Sequence, residues 1–156
     1  MLNFIPFAIF VMLAASSGAY FKPDDWYARL DKPRWNPPNW VFPVVWTPLY
    51  ALIAVAGWMV WNEAGPSLVM VVWFAQLLLN GTWSWMFFGK RRMDWGMMNV
   101  SALWVLVALF IALAWPISMW AALMFAPYLV WVSAAALLNW QVWQMNKHGG
   151  ALESQS

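Results

Sequence analysis

Charge is confined to a few short stretches of this chain, and long apolar runs separate them. Residues 1–21 hold no Asp, Glu, Lys or Arg, and neither do residues 35–62. Beyond a charged stretch at Lys90–Asp94, residues 95–146 run for 52 positions without a charge. An α-helix rises about 1.5 Å per residue and a bilayer core is about 30 Å thick, so one crossing takes roughly 20 apolar residues. The runs predict spanning helices near 4–20, 41–61 and 67–88, with Glu63-Ala64-Gly65-Pro66 as the turn between the second and third. The 52-residue run is too long for one crossing, and Trp115-Pro116-Ile117-Ser118 divides it into helices near 95–114 and 119–143. The expectation is an all-α integral membrane protein. It is a five-transmembrane-helix bundle in a single domain, residues 1–146, with a long Pro/Trp-rich loop between helices 1 and 2 and a polar tail at 147–156. Ala14-Ala15-Ser16-Ser17-Gly18-Ala19 also has the small residues that end a signal peptide, but Met1-Leu2-Asn3 supplies no basic residue ahead of it. The Ala14/Gly18 and Ala15/Ala19 pairs read instead as a small-residue face for close helix packing.

The basic residues test the count. With five crossings, the loops 22–39 and 90–94 and the tail share one side. That side carries Lys22, Arg29, Lys32, Arg34, Lys90, Arg91, Arg92 and Lys147, which is every Lys and Arg in the chain. Such segregation places the N-terminus outside and the C-terminus in the cytoplasm. Composition agrees with lipid as the solvent. Charged residues make up 9% of the chain, against about 25% in a soluble domain.

Composition also removes several chemistries. There is no Cys, so there is no thiolate metal site, and the one His, His148, lies in the tail. No Asp, Glu, Lys, Arg or His falls within a predicted span, which argues against a coupled ion pump and against ordinary acid–base catalysis in the core. No metal site is expected. The net charge of +2 is small and its basic residues sit in short loops, so nucleic acid is not an expected partner.

What the chain has in excess is Trp, sixteen in all. Indole suits the membrane interface and the wall of a pocket for a flat ligand. Trp58, Trp61 and Trp143 lie near predicted helix ends and read as interfacial anchors. Gln76 and Asn80 are four apart and share a helix face with Trp83. Spacing alone leaves this pair open between interhelical glue and ligand contact. The stretch Lys32-Pro33-Arg34-Trp35-Asn36-Pro37-Pro38-Asn39-Trp40 should be stiff, because Pro fixes its own φ and restricts the residue before it. It reads either as a rigid connector with Trp anchors or as a lid. Pro48, deeper in the second helix, should kink it.

These stretches, taken together, resemble the TspO/MBR family: tryptophan-rich sensory proteins and translocator proteins, the peripheral-type benzodiazepine receptors. The resemblance rests on Trp26-Tyr27 with Leu30, Lys32-Pro33-x-Trp35-Asn36-Pro37-Pro38 and Trp46-x-x-Leu49-Tyr50. It extends through Gln76-x-x-x-Asn80-x-x-Trp83, Phe87-Phe88-Gly89, and Pro127-Tyr128-Leu129-x-Trp131 with Asn139. It implies a five-helix bundle, often a homodimer among membrane lipids, with a cavity closed by the long loop. It implies porphyrins and haem-related tetrapyrroles such as protoporphyrin IX as ligands, synthetic benzodiazepine-site ligands, and no obligatory cofactor. Carried over residue by residue, the site is Trp26 and Trp35 from the loop, Trp46 and Tyr50, Gln76 and Asn80, and Trp131. The implied role is a tetrapyrrole sensor, regulator or carrier in a multi-pass membrane protein of bacterial type. The alternative is a light- and oxygen-dependent enzyme that degrades porphyrin, with Trp46 and Trp131 as electron donors beside the photoexcited ring. A sterol or lipid transporter is a weaker alternative. The family's cholesterol pattern needs a Tyr and a basic residue late in helix five, and Ala135 and Gln144 stand there instead.

The topology is open to a direct check. Cys introduced at Ser154 and at Ser67 should react with an impermeant thiol reagent from opposite sides of the membrane, without background from native thiols. Labelling of both from one side would refute the charge-based arrangement.

Overall fold

The structure is a computed structural model that describes residues 3–21 and 25–146. It contains α1 (Ile5–Tyr20), α2 (Asp25–Arg29), α3 (Val41–Ala64), α4 (Leu68–Ser84), α5 (Met93–Ala114), α6 (Met119–Met124) and α7 (Ala126–Asn146). A π-helical turn at Trp85–Gly89 extends α4. Four helical stretches are long and apolar enough to cross a membrane: Val41–Ala64, Leu68–Gly89, Met93–Ala114 and Met119–Asn146. Helix α1 is shorter, with its apolar part at Ile5–Ser17. The tail at 147–156 and Lys22 lie outside the described residues.

Local chemistry accounts for the ends. Helix α3 runs past the expected stop at Trp61 to Ala64, where Gly65 adopts φ 61° and returns its N–H to the Trp61 carbonyl at 2.7 Å. A side chain is disfavoured in that left-handed region, so Gly and then Pro66 make the turn. Pro48 sits inside α3, and the helix continues through it. The expected single helix at 119–143 is two. Ser118 caps α6 by accepting from the Ala121 N–H at 3.3 Å. The break follows at Phe125, because Pro127 has no N–H for the Leu123 carbonyl and its ring would crowd that position. The short helix α2 inside the long loop is an addition to the expected layout. So is the π turn, whose hydrogen bonds span five residues. Residues four and five beyond Trp83 then straddle one face. Phe87 stacks on the Trp83 ring at 5.0 Å, and Phe88 meets it edge-on at 5.6 Å.

The helices form a ring. Helix α1 packs on α3 and α4, α4 on α5, α5 on α6 and α7, and α6 on α3. Of the small-residue face expected on α1, Ala14 packs against α4, where a Cβ on Gly81 would lie 3.4 Å from the Ala14 Cα, Ala15 lines a cavity, and the side-chain surroundings of Gly18 and Ala19 lie outside the described residues. Helices α3 and α7 close the ring differently. Their backbones make few contacts, and rings bridge them: Trp46 to Tyr128 at 6.0 Å, Trp46 to Trp131 at 6.3 Å, and Phe42 to Trp131 at 5.9 Å.

Trp73 is the post of the opposite half. It is fully buried, donates to the Ile53 carbonyl at 2.9 Å and meets Phe7 edge-on at 5.7 Å. Its indole lies over Gly57, where any Cβ would overlap the ring. Gly57→Val should therefore destabilise the bundle by about 1–3 kcal/mol through overpacking. A drop in thermal midpoint in detergent would show it, and an unchanged midpoint would remove Trp73 as the post.

Candidate functional site

A cavity of about 490 Å³ opens inside the ring where α3 and α7 stand apart. This lies within the roughly 300–1,000 Å³ range of small-molecule sites. Its aromatic wall is Phe21 after α1, Phe42, Trp46 and Tyr50 from α3, Trp83 and Phe88 from α4 and its π turn, and Trp131 from α7. Ala15 of α1, Pro43 of α3, Val100 and Leu103 of α5, and Val132 and Ala135 of α7 add apolar wall. The polar wall groups are Asn39, Thr47, Tyr50, Asn80 and Ser84, so the described wall carries no charge.

Spacing places these rings. Trp46 and Tyr50 are one turn apart on α3 and stack at 5.3 Å, 25° from parallel. Tyr128 and Trp131 are three apart on α7, and both face Trp46. The Trp83 N–H is committed, donating to Asn139 Oδ1 at 3.1 Å, while Asn139 Nδ2 donates to the Met93 carbonyl at 3.0 Å. The Trp131 N–H is buried and has no acceptor among the described residues, and a buried donor without a partner costs about 1–3 kcal/mol.

Of the residues expected at the site, Trp46, Tyr50, Asn80 and Trp131 come together in the wall. Gln76 does not line it. It is fully buried behind Asn80, with its amide nitrogen on the Trp73 carbonyl and its oxygen receiving the Tyr128 hydroxyl, each at 2.8 Å. On this face Gln76 is interhelical glue, whereas Asn80 both binds neighbours and faces the cavity. Trp26 and Trp35 also lie outside the wall. Trp26 is buried in a satellite cluster with Tyr27, Leu30, Phe87 and Met93. Trp35 is 43% exposed and donates to Gln141 Oε1 at 2.7 Å.

The loop is held by the end of α7. Asn146 accepts from the Asp31 N–H at 2.9 Å and donates to the Asp31 carbonyl at 2.8 Å, so one side chain pairs with the loop backbone as a strand would. The Tyr27 hydroxyl adds a bond to Asn36 at 3.2 Å, and burial pushes its pKa up, so it stays a donor at neutral pH. The expected anchors Trp58, Trp61 and Trp143 are half-buried against the two clusters. The outward indoles include Trp40, Trp115 and Trp120, at 65%, 51% and 64% exposure. A helix end has an inner face as well as an outer one, and indoles occupy both.

Sequence reasoning left Phe21, Phe42, Trp83 and Phe88 out of the wall, and Tyr128 out of the hydrogen bonds behind it. Two signals were present: Trp83 shares the Gln76–Asn80 face, and Tyr128 lies one turn before Trp131. No pattern announces the π turn that brings Phe88 in.

The TspO/MBR family model matches residues 5–144. The chain belongs to the TspO/MBR family. It is 40% identical over 132 residues to a tryptophan-rich sensory protein of Cereibacter sphaeroides, covering 85% of this chain and 84% of that one. It is 40% identical over 138 residues to protein CrtK of Rhodobacter capsulatus, covering 85% and 86%. It is also 36% identical over 129 residues to the translocator protein of Homo sapiens, covering 80% and 76%. With its apolar helices, this makes the TspO/MBR chain a multi-pass membrane protein.

Asn146→Ala should release the loop. Both Asp31 backbone groups would lose their partner, at a cost of about 1–3 kcal/mol. Hydrogen exchange at residues 30–36 should quicken while the α3 and α5 amides stay protected. Unchanged loop exchange would show that Asn146 does not hold it.

Proposed function

We propose that this TspO/MBR protein binds a flat tetrapyrrole, such as a porphyrin, in the cavity between α3, α4 and α7, and acts as a sensor or carrier of it in the membrane. The observation that carries the reading is the ring-lined wall of this cavity, uncharged over its described residues. Rings on three helices suit a planar macrocycle, and the few polar groups would orient it. The volume admits a ligand of that size class. The resemblance of the loop and helix motifs to porphyrin-binding members supports the same ligand.

We further propose that α1 makes a fifth crossing, with the long loop and the C-terminus in the cytoplasm. At 16 residues α1 rises about 24 Å, short of the core thickness by an amount that local thinning or flanking residues can absorb. The segregation of every Lys and Arg to one side supports it.

A porphyrin titration in nanodiscs tests the binding reading. Trp46→Ala and Trp131→Ala should each cost about 1–3 kcal/mol, roughly ten- to a hundredfold in affinity. Asn80→Leu should weaken binding without removing a ring. Trp115→Phe and Trp120→Phe, on outward indoles, should leave affinity unchanged. Equal losses in both groups would refute the cavity as the site.

A further inference from the structure

Four hydrogen bonds run from the backbone of α4 to the cavity wall, and all point the same way. The order follows from the buried end. The Trp73 carbonyl can only accept, so the Gln76 amide nitrogen must face it, at 2.8 Å. Gln76 Oε1 is then the acceptor for the Tyr128 hydroxyl, at 2.8 Å. A hydroxyl has one proton. With that proton given to Gln76, the Tyr128 oxygen must accept, and it does so from Asn80 Nδ2 at 2.8 Å. This turns Asn80 Oδ1 toward Tyr50, whose hydroxyl donates to it at 2.9 Å. The single proton of Tyr50 is thereby committed to the protein. At the wall it shows an oxygen with lone pairs, and no donor among the described residues is recorded on it. Reversing any one bond would set two oxygens or two protons against each other at Gln76 and Tyr128, both fully buried.

We infer that Tyr50 is an acceptor-only group in the cavity wall, selecting flat aromatic ligands with an N–H or O–H at their edge, and that the buried Gln76 is the positioning residue that sets this polarity. The inference rests on the reading of the cavity as a site for flat aromatic ligands. It adds a rule that ring stacking does not supply. Stacked rings are indifferent to donors and acceptors, whereas a wall oxygen without a proton rejects a ligand that offers only another lone pair.

Carbazole and dibenzofuran test it. They are flat tricycles of one outline, the first with an edge N–H and the second with a ring oxygen in its place. Calorimetric titration of the protein in nanodiscs should show carbazole binding about three- to tenfold more tightly, the worth of one net hydrogen bond. Tyr50→Phe keeps the ring and should bring the ratio to one. Gln76→Leu frees the Tyr128 proton and lets Asn80 turn, so the ratio should fall to one or invert. Gln76→Glu, neutral at a buried apolar position, still donates to Trp73 and accepts from Tyr128, and should restore the preference. A purely structural role for Gln76 would weaken both ligands equally and leave the ratio unchanged in Gln76→Leu, which would overturn the inference. Equal affinities in the unmodified protein would overturn it as well. A carbazole preference in a protein that takes no porphyrin would uphold it while removing the tetrapyrrole reading.

Discussion

The hydroxyl of Tyr128 is the joint on which the interior depends. It accepts from Asn80 and donates to Gln76, so it ties α7 to α4 by two bonds from one oxygen. Its ring meets Trp46 of α3 edge-on at 6.0 Å and Phe125 at 5.3 Å. In lipid there is no hydrophobic force between apolar helices, so packing and such polar bonds hold a bundle together. Here they do so where the backbones of α3 and α7 stand apart. The cavity exists because large rings, rather than small residues, span that gap. The other half of the bundle uses the opposite device. Gly57 admits the Trp73 indole, and Gly81 brings α4 against Ala14.

The loop end of the molecule is a second unit built against the first. The π turn after α4 sends Phe87 toward Trp26 and Tyr27 and leaves Phe88 in the cavity wall. Trp83, stacked on Phe87, belongs to both units and is fixed by Asn139. Asn139 in turn needs Gly96, since a Cβ there would come within 3.0 Å of its Oδ1. The residues that tether the loop and those that line the cavity therefore share a wall.

This arrangement gives the family motifs separate tasks. The Lys-Pro-x-Trp stretch positions a loop through Trp35 on Gln141 and Asp31 on Asn146, rather than contributing rings to the wall. The Trp46-x-x-Leu49-Tyr50 stretch presents two stacked rings to the cavity and buries Leu49 in the core. The Gln76-x-x-x-Asn80-x-x-Trp83 stretch grades from structural to exposed along one helix face. Gln76 is enclosed, Asn80 is shared, and Trp83 lies in the wall.

The chain alone determined the class of the fold, the positions of the long helices to within a few residues, and the family, because each follows from something local. Charge cannot enter lipid, so the apolar runs mark the helices, and Gly and Pro mark their ends. Helical spacing also placed Gln76, Asn80 and Trp83 on one face, and Trp46 with Tyr50 on another. It did not determine which of those faces meets a cavity. Gln76 and Asn80 are the same chemistry one turn apart, and only the position of Tyr128 on a distant helix makes one enclosed and the other a wall group. The same holds for Trp. Indoles at helix ends look alike in sequence, yet Trp58, Trp61 and Trp143 pack half-buried against the two clusters while Trp115 and Trp120 are exposed. The π turn and the clasp of Asn146 on the loop were likewise settled by packing. Each balances a backbone hydrogen bond against a contact with a residue far away in the chain, and only the tertiary structure brings those residues within reach.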